Sequence, residues 1–270
     1  MQLTRYIHFT DKRNIIPALD GVRGLAIAFV LASHISNPFQ VNLGGLGKEG
    51  VWLFFVLSAF LLTSYFLEQP NRVNNLWEWI NYIVRRGLRI YPLYVLVLFF
   101  EFFFVRANIQ DVDMLRDSLF LQRSFGPYWA IPVLMAFYLF FPLIIGLFVL
   151  VARRNSIIIF LMVLVIILIQ QVFFPMQLTG QFYKNFFYAL PLFLGGSLTS
   201  ILYLELRKIT FSDRLKYVFS FLALTIVCFS LLASPRIWHS LFLLPYPGLN
   251  RNILLFGLLW SSFLLLILHG

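Results

Sequence analysis

The sequence predicts an all-α protein, a polytopic bundle of about eight transmembrane helices. Of its 270 residues, 60% are hydrophobic and only 12% are charged, which is far from the balance of a soluble domain. No polar stretch is long enough for a folded soluble unit, so a single transmembrane domain over residues 1–270 is expected. The net charge of +10 comes from short basic clusters at helix ends, which favours orientation in a lipid bilayer and predicts no nucleic acid partner.

Apolar runs of the length that a bilayer requires recur along the chain. The predicted spans cover residues 16–36, 50–67, 88–105, 128–152, 155–174, 186–205, 215–233 and 252–268. Lys and Arg are concentrated in the loops on the side of the N-terminus, which predicts a cytoplasmic N-terminus. The chain shows no internal repeat of the kind that many transporters carry, and this disfavours a carrier.

The first predicted span contains ionisable side chains, namely Asp20, Arg23 and His34. Such groups usually face a protein interior or a wet cavity, and they mark a functional site. A step of eleven residues returns almost to the same helix face, so Arg23 and His34 share a wall, about 16 Å apart along the axis. Asp20 suits a helix cap or an ion-pair partner of Arg23.

Two later stretches also carry polar groups. Ser58 offers a hydroxyl in the otherwise apolar second span, where a helix-packing role explains it equally well. Arg86 and Arg89 are neighbours on a helix surface, with Arg85 alongside. Three guanidinium groups suit a phosphate ligand, and they also suit a positive-inside anchor for the third span.

Four motifs in this order resemble the membrane-bound acyltransferase family 3. They are Leu19-Asp-Gly-Val-Arg-Gly-Leu with His34, Gly50-Val-Trp-Leu-Phe-Phe-Val-Leu-Ser-Ala-Phe-Leu-Leu, Arg85-Arg-Gly-Leu-Arg-Ile-Tyr-Pro-Leu-Tyr and Tyr128-Trp-Ala-Ile-Pro-Val-Leu-Met-Ala-Phe-Tyr-Leu-Phe-Phe-Pro142. The match is strong over residues 15–142, and residues 189–197 resemble a weaker later landmark. The resemblance implies an integral-membrane acyltransferase of the bacterial inner membrane. It would move an acyl group, with acetyl expected, from cytoplasmic acyl-CoA to a hydroxyl of an envelope carbohydrate or lipid-linked acceptor.

The resemblance also implies roles for particular residues. Arg23 and His34 match the family's Arg-x10-His motif, which makes them the expected catalytic pair, with His34 as general base. Arg86 and Arg89 match its Arg-x-x-Arg motif. The expected donor- and substrate-binding residues are Arg85, Arg86, Arg89, Asp20, Ser58, Trp129 and Tyr138. Acetyl-CoA or another acyl-CoA would act as a substrate, so neither a metal nor a permanently bound cofactor is expected.

The sequence departs from the family pattern where a Glu and a Gln usually follow the Trp. Leu134 and Ala136 occupy these positions, which predicts lowered or absent activity. The alternative is therefore a catalytically inactive member that acts in binding, assembly or transport. Glu101, another intramembrane carboxylate, is expected to pair with Arg106 or to reach the membrane interface. Family members usually have more spans, so the chain is expected to be shortened at its C-terminus.

Overall fold

A computed structural model describes residues 16–35, 45–68, 75–106, 109–122, 126–152, 155–173, 186–233, 235–242, 248–249 and 252–270. The regular secondary structure of these residues is helical throughout. The α-helices are α1 (Pro17–Ile35), α2 (Leu46–Glu68), α3 (Leu76–Phe100), α4 (Val112–Leu119), α5 (Ala130–Ala152), α6 (Ser156–Phe173), α7 (Phe186–Leu206), α8 (Asp213–Leu232), α9 (Pro235–Phe242) and α10 (Ile253–His269). A π-helical turn, Glu101–Val105, continues α3, and a 3-10 turn, Gly126–Trp129, precedes α5.

Six of the described helices are long and apolar enough to cross a membrane: α1, α2, α3 with its π-helical turn, α6, α7 and α8. Two shorter apolar helices, Ala130–Gly146 within α5 and Ile253–His269, correspond to the other two predicted spans. The prediction of an all-α polytopic bundle is confirmed. The protein is an integral membrane protein.

The predicted start of the third span is wrong, because α3 begins at Leu76 rather than near residue 88. The Asn75 side chain caps the helix by accepting a hydrogen bond from the backbone N–H of Trp77 at 3.0 Å. The first turns of α3 contain polar residues, so hydropathy alone does not detect this part of the helix. Tyr82, two turns from its start, is nevertheless buried in the core. Arg85, Arg86 and Arg89 therefore lie well inside a helix rather than at its start.

The expectation for Glu101 is also wrong. Its side chain is only 6% exposed and accepts a hydrogen bond from the Tyr128 hydroxyl at 3.1 Å. The Arg106 side chain is exposed and donates to the backbone carbonyl of Phe102. The carboxylate is thus held within the protein at the end of α3, instead of reaching the interface.

The centre of the bundle is α2, which packs on α1, α7 and α10. Small residues bring α2 and α7 together, because a Cβ atom added at Gly196 would overlap the carbonyl oxygen of Val56. Two side-chain hydrogen bonds cross the same contact. The oxygen atoms of Thr63 and Ser197 are 3.0 Å apart, and those of Ser64 and Ser200 are 2.8 Å apart. Close approach and interhelical hydrogen bonds are what stabilise helix pairs in lipid.

Replacing Gly196 by Ala should destabilise the bundle, because the new methyl group overlaps backbone that cannot move alone. Overpacking of this kind costs about 1–3 kcal/mol. Thermal unfolding of the purified protein in detergent measures the effect. Gly146→Ala is the matched control, since a Cβ there meets nothing within 4 Å. Equal unfolding temperatures for the two variants would contradict the close α2–α7 contact.

Candidate functional site

Arg23 and His34 lie on the same side of α1, next to its buried face. The buried face of this helix is formed by Leu19, Val22, Ala26 and Phe29, and Phe29 marks its side towards α10 by packing against Trp260 at 6.0 Å between ring centroids. At about 100° per residue, Arg23 and His34 lie roughly 60–80° around the helix from Ala26, on the side opposite to Phe29. Both are accessible: His34 is exposed, and the Arg23 side chain is 41% exposed. They share a wall that faces away from α10.

A stripe of half-buried residues runs along α2 beside this wall. Its spacing of four and three residues follows one face of the helix, and its members are Gly47, Val51, Phe54, Ser58, Leu61 and Tyr65. The Gly47 end borders α1, because a Cβ at Gly47 would touch the Ser33 hydroxyl and one at Gly50 would touch Val30. We call this stripe the α2 groove. Arg23 and His34 stand on its α1 side.

Arg23 is level with the middle of the α2 groove. The two helices are antiparallel, and Gly50 lies opposite the segment from Ala26 to Val30. Arg23 therefore lies one to two turns further along, beside the part of α2 between Phe54 and Ser58. It forms an ion pair with Asp20 one turn away on the same helix. The predicted role of Asp20 as an ion-pair partner is confirmed, and the pair lowers the cost of a cation at this depth.

His34 lies at the end of α1, next to the Ser33 hydroxyl. That hydroxyl donates to the carbonyl oxygen of Val30 at 2.8 Å. The His34 Nδ1 atom lies 3.4 Å from the Ser33 oxygen, a distance at which only a weak hydrogen bond forms. In a neutral imidazole one ring nitrogen carries the proton and the other accepts one, so His34 has the chemistry of a base.

The arginines of α3 lie beside the second half of α2, between about Ser58 and Tyr65, because α3 runs antiparallel to α2 and its Tyr82 contacts Phe66. Tyr65, the last residue of the stripe, donates a long hydrogen bond of 3.5 Å to Glu78 of α3. Two turns beyond Glu78, the Arg86 guanidinium lies over the rings of Tyr82 and Tyr138, at 6.0 and 5.3 Å from their centroids. Cation–π contacts of this kind hold a guanidinium in place without using its N–H donors. The donors of Arg86 stay available for a ligand.

Arg85 and Arg89 are exposed on α3, and within the described residues neither has an ion-pair partner. The structure thus brings Tyr138 and Arg86 together but does not gather the three guanidinium groups around one point. Trp129 lies outside the groove, where it is 6% exposed and packs edge-on against Phe55. Leu134 and Ala136 are half-buried on α5.

Sequence reasoning overlooked Glu49. The glycines around it predict a loop, yet Glu49 lies in the first turn of α2 with 0% exposure. Neither carboxyl oxygen has a hydrogen-bond partner among the described residues. The signal that could have identified it is its spacing, since Glu49 precedes the buried residues Trp52 and Val56 by three and seven positions. It faces away from the α2 groove, because it follows Gly47 by about 200° around the helix.

Replacing Glu49 by Leu should raise the unfolding temperature in detergent. A buried polar group without a partner costs about 1–3 kcal/mol, and Leu removes that cost while filling the space. Glu49→Gln is the matched control, and it should gain less because its amide still lacks partners. A lower unfolding temperature for Glu49→Leu than for the parent protein would show that the carboxyl group stabilises the fold.

Comparison with known proteins places the chain in a family. The family model described as an acyltransferase domain, the acyltransferase 3 family, matches residues 16–270, so the chain belongs to that family. The chain is 28% identical over 127 residues to the peptidoglycan O-acetyltransferase OatA of Listeria monocytogenes. The matched region is 47% of this chain and 19% of that protein. The chain is 27% identical over 174 residues to "Putative peptidoglycan O-acetyltransferase YrhL" of Bacillus subtilis, which covers 55% of this chain and 27% of that protein.

The matched regions thus span about a quarter of the length of these relatives or less. No solved structure matches the chain. The family assignment agrees with the four motifs in the sequence. The roles of individual residues stay predictions.

Proposed function

We propose that the chain acts as an integral-membrane O-acyltransferase that moves an acyl group, with acetyl expected, from cytoplasmic acyl-CoA to a hydroxyl of an envelope carbohydrate or similar acceptor. The observation that carries the proposal is the position of Arg23 and His34 on one accessible wall of the α2 groove. Membership of the acyltransferase family supports the reaction class. Most ionisable groups in a membrane helix would be paired or excluded, so an exposed imidazole beside a groove suits a functional role.

The donor would bind lengthwise along the groove. Arg86, held by two tyrosine rings, suits the phosphates of CoA, with Arg85 and Arg89 adding positive charge nearby on α3. Arg23 lies on the His34 side of Arg86, about 16 Å from His34 along α1. The flexible pantetheine arm would extend past Arg23 and Ser58 and bring the thioester carbonyl towards His34.

The chemistry then follows from the imidazole. The acceptor hydroxyl attacks the thioester carbonyl while the Nε2 atom of His34 takes its proton, and a carbon–oxygen bond forms. The carbon–sulfur bond breaks as the tetrahedral intermediate collapses. The CoA thiolate leaves and takes the proton from the imidazolium, which restores neutral His34. Each turnover therefore yields one ester and one CoA thiol.

The acceptor would be a cell-envelope carbohydrate or a lipid-linked precursor, in the bacterial inner membrane. The names of the relatives, which include a peptidoglycan O-acetyltransferase, support this class of acceptor. With a cytoplasmic N-terminus, as the loop charges predict, the arginines of α3 would lie towards the cytoplasm and the His34 end of α1 towards the outside. Acyl-CoA from the cytoplasm would then serve an acceptor on the opposite side.

Replacing His34 by Ala should lower transfer of labelled acetyl from acetyl-CoA by about 10²–10⁴-fold, the usual contribution of a general base. Purified protein with an envelope glycan as acceptor provides the assay. His239→Ala is the matched control, because His239 is also exposed but lies on α9, away from the groove. Equal transfer by the parent protein and His34→Ala would overturn the role of His34.

Replacing Arg86 by Ala should raise the KM for acetyl-CoA about tenfold or more, since a hydrogen bond to a charged group contributes about 1.5–3 kcal/mol. Arg86→Lys keeps the charge but loses the planar, bidentate geometry, so it should recover only part of the affinity. Arg116→Ala is the control, because Arg116 pairs with Asp113 on the surface of α4. An unchanged KM in Arg86→Ala would contradict donor binding at this residue.

The alternative function is that of a catalytically inactive family member in binding, assembly or transport. The apolar Leu134 and Ala136 favour it, because they replace a carboxylate and an amide of the family pattern. The double variant Leu134→Glu with Ala136→Gln separates the two proposals. Gain of transfer from an inactive parent would support the alternative, whereas robust transfer by the parent protein would exclude it.

A further inference from the structure

Glu101 occupies an unusual place in the backbone. It begins the π-helical turn at the end of α3, which the Arg106 N–H closes by donating to the Glu101 carbonyl at 2.6 Å. Arg106 then adopts a left-handed conformation, with φ of 53°, and ends the helix. A residue other than glycine in that region is uncommon, and π-helical turns often occur at functional sites. The turn directs the Glu101 carboxylate into the protein, where it is 6% exposed.

The carboxylate joins α3 to the start of α5. The Tyr128 hydroxyl donates to Glu101 Oε2 at 3.1 Å, and Tyr128 lies in the 3-10 turn directly before α5. Burial and the neighbouring Glu101 charge raise the pKa of Tyr128 to about 12. The hydroxyl therefore keeps its proton at neutral pH and stays a donor. Hydrogen bonds to a charged acceptor are stronger than neutral ones.

The next residue extends this link into the core. Trp129 packs edge-on against Phe55 of α2, with ring centroids 6.1 Å apart, and Phe55 stacks on Phe193 of α7 at 4.8 Å. Phe193 in turn stacks on Phe137 of α5 at 3.9 Å. The first turns of α5 are thus fixed on one side by a hydrogen bond to α3 and on the other by aromatic contacts to α2 and α7.

The register of α5 decides where Tyr138 meets Arg86. Tyr138 follows Phe137, contacts Tyr82 edge-on at 6.2 Å, and lies 5.3 Å from the Arg86 guanidinium. A shift of one residue along a helix moves a side chain by about 1.5 Å and 100°. The start of α5 must therefore be held if Tyr138 is to support Arg86. Glu101 holds it from the same helix that carries Arg86.

We propose that Glu101 is a positioning residue for the acyl donor: through Tyr128 it fixes α5, and α5 presents Tyr138 to Arg86. This inference rests on the proposed donor-binding role of Arg86. Glu101 itself is remote from that contact, being fifteen positions further along α3, so it acts through the helix and not on the donor.

The test compares Glu101→Leu and Tyr128→Phe with the parent protein. Each removes the same hydrogen bond, so the KM for acetyl-CoA should rise about tenfold in either variant, with little change in kcat. The KM of the double variant should be no higher than the higher KM of the two single variants, because both substitutions break the same hydrogen bond. Glu101→Gln keeps a carbonyl acceptor and should recover most of the affinity.

Tyr91→Phe is the matched control. It also removes a tyrosine hydroxyl bond from α3, one donated to the Leu119 carbonyl at 2.7 Å, but that bond holds α4 rather than α5. Its KM should stay at the parent value. A similar KM rise in Tyr91→Phe, unchanged KM in Glu101→Leu, or additive effects in the double variant would overturn the proposal.

Hydrogen exchange measured by mass spectrometry separates this proposal from the proposed function, because it needs no activity. Glu101→Leu and Tyr128→Phe should speed exchange in residues 126–133, whereas Tyr91→Phe should speed it in residues 112–121. If the exchange pattern is as expected and the KM is unchanged, the positioning proposal fails alone when Arg86→Ala still raises the KM, and the proposed donor role of Arg86 fails when Arg86→Ala leaves the KM unchanged. Parent-like exchange in residues 126–133 of Glu101→Leu would refute the positioning role directly.

Discussion

The close packing of α2 against its neighbours is the constraint on which the remaining structure depends. Gly50 of α2 lies against the Ala26 carbonyl of α1, and Gly196 of α7 lies against the Val56 carbonyl of α2. A side chain at either glycine would separate the helices. In lipid, where apolar surface gives no hydrophobic driving force between helices, such backbone approach supplies the packing energy.

This packing buries α2 on almost every side and leaves the α2 groove as its accessible face. A polar side chain elsewhere on the helix needs an internal partner, as Thr63 has in Ser197. Glu49 has no hydrogen-bond partner among the residues that the structure describes, which is a free-energy cost that the fold tolerates. Along the groove, in contrast, Ser58 and Arg23 are half-buried and His34 is exposed, so a ligand bound there would leave the core undisturbed. The geometry therefore separates the residues that stabilise the bundle from those available for chemistry.

The fold class and seven of the eight span positions were predictable because hydropathy reports directly on transfer into lipid. The start of α3 was not, since its first turns carry polar residues among the apolar ones. The relation between Arg23 and His34 followed from helix periodicity, which depends on one element alone. The stacking of Arg86 on Tyr138 and the bond of Glu101 to Tyr128 join α3 to α5, and sequence periodicity contains no information on such contacts. The burial of Glu49 depends on the tertiary packing around the first turn of α2, which a single sequence does not specify.

Accessibility of Ser58 tests the central claim, that a groove open to a ligand lies along α2 beside Arg23. In a Cys228→Ala background, which removes the exposed native cysteine, Ser58→Cys can be treated with a charged, water-soluble thiol reagent. Ser197→Cys is the matched control, since Ser197 of α7 is 2% exposed in the contact between α7 and α2. The account predicts that only the cysteine at position 58 reacts and that acetyl-CoA slows its reaction. Equal reactivity at both positions, or no protection by acetyl-CoA, would contradict it.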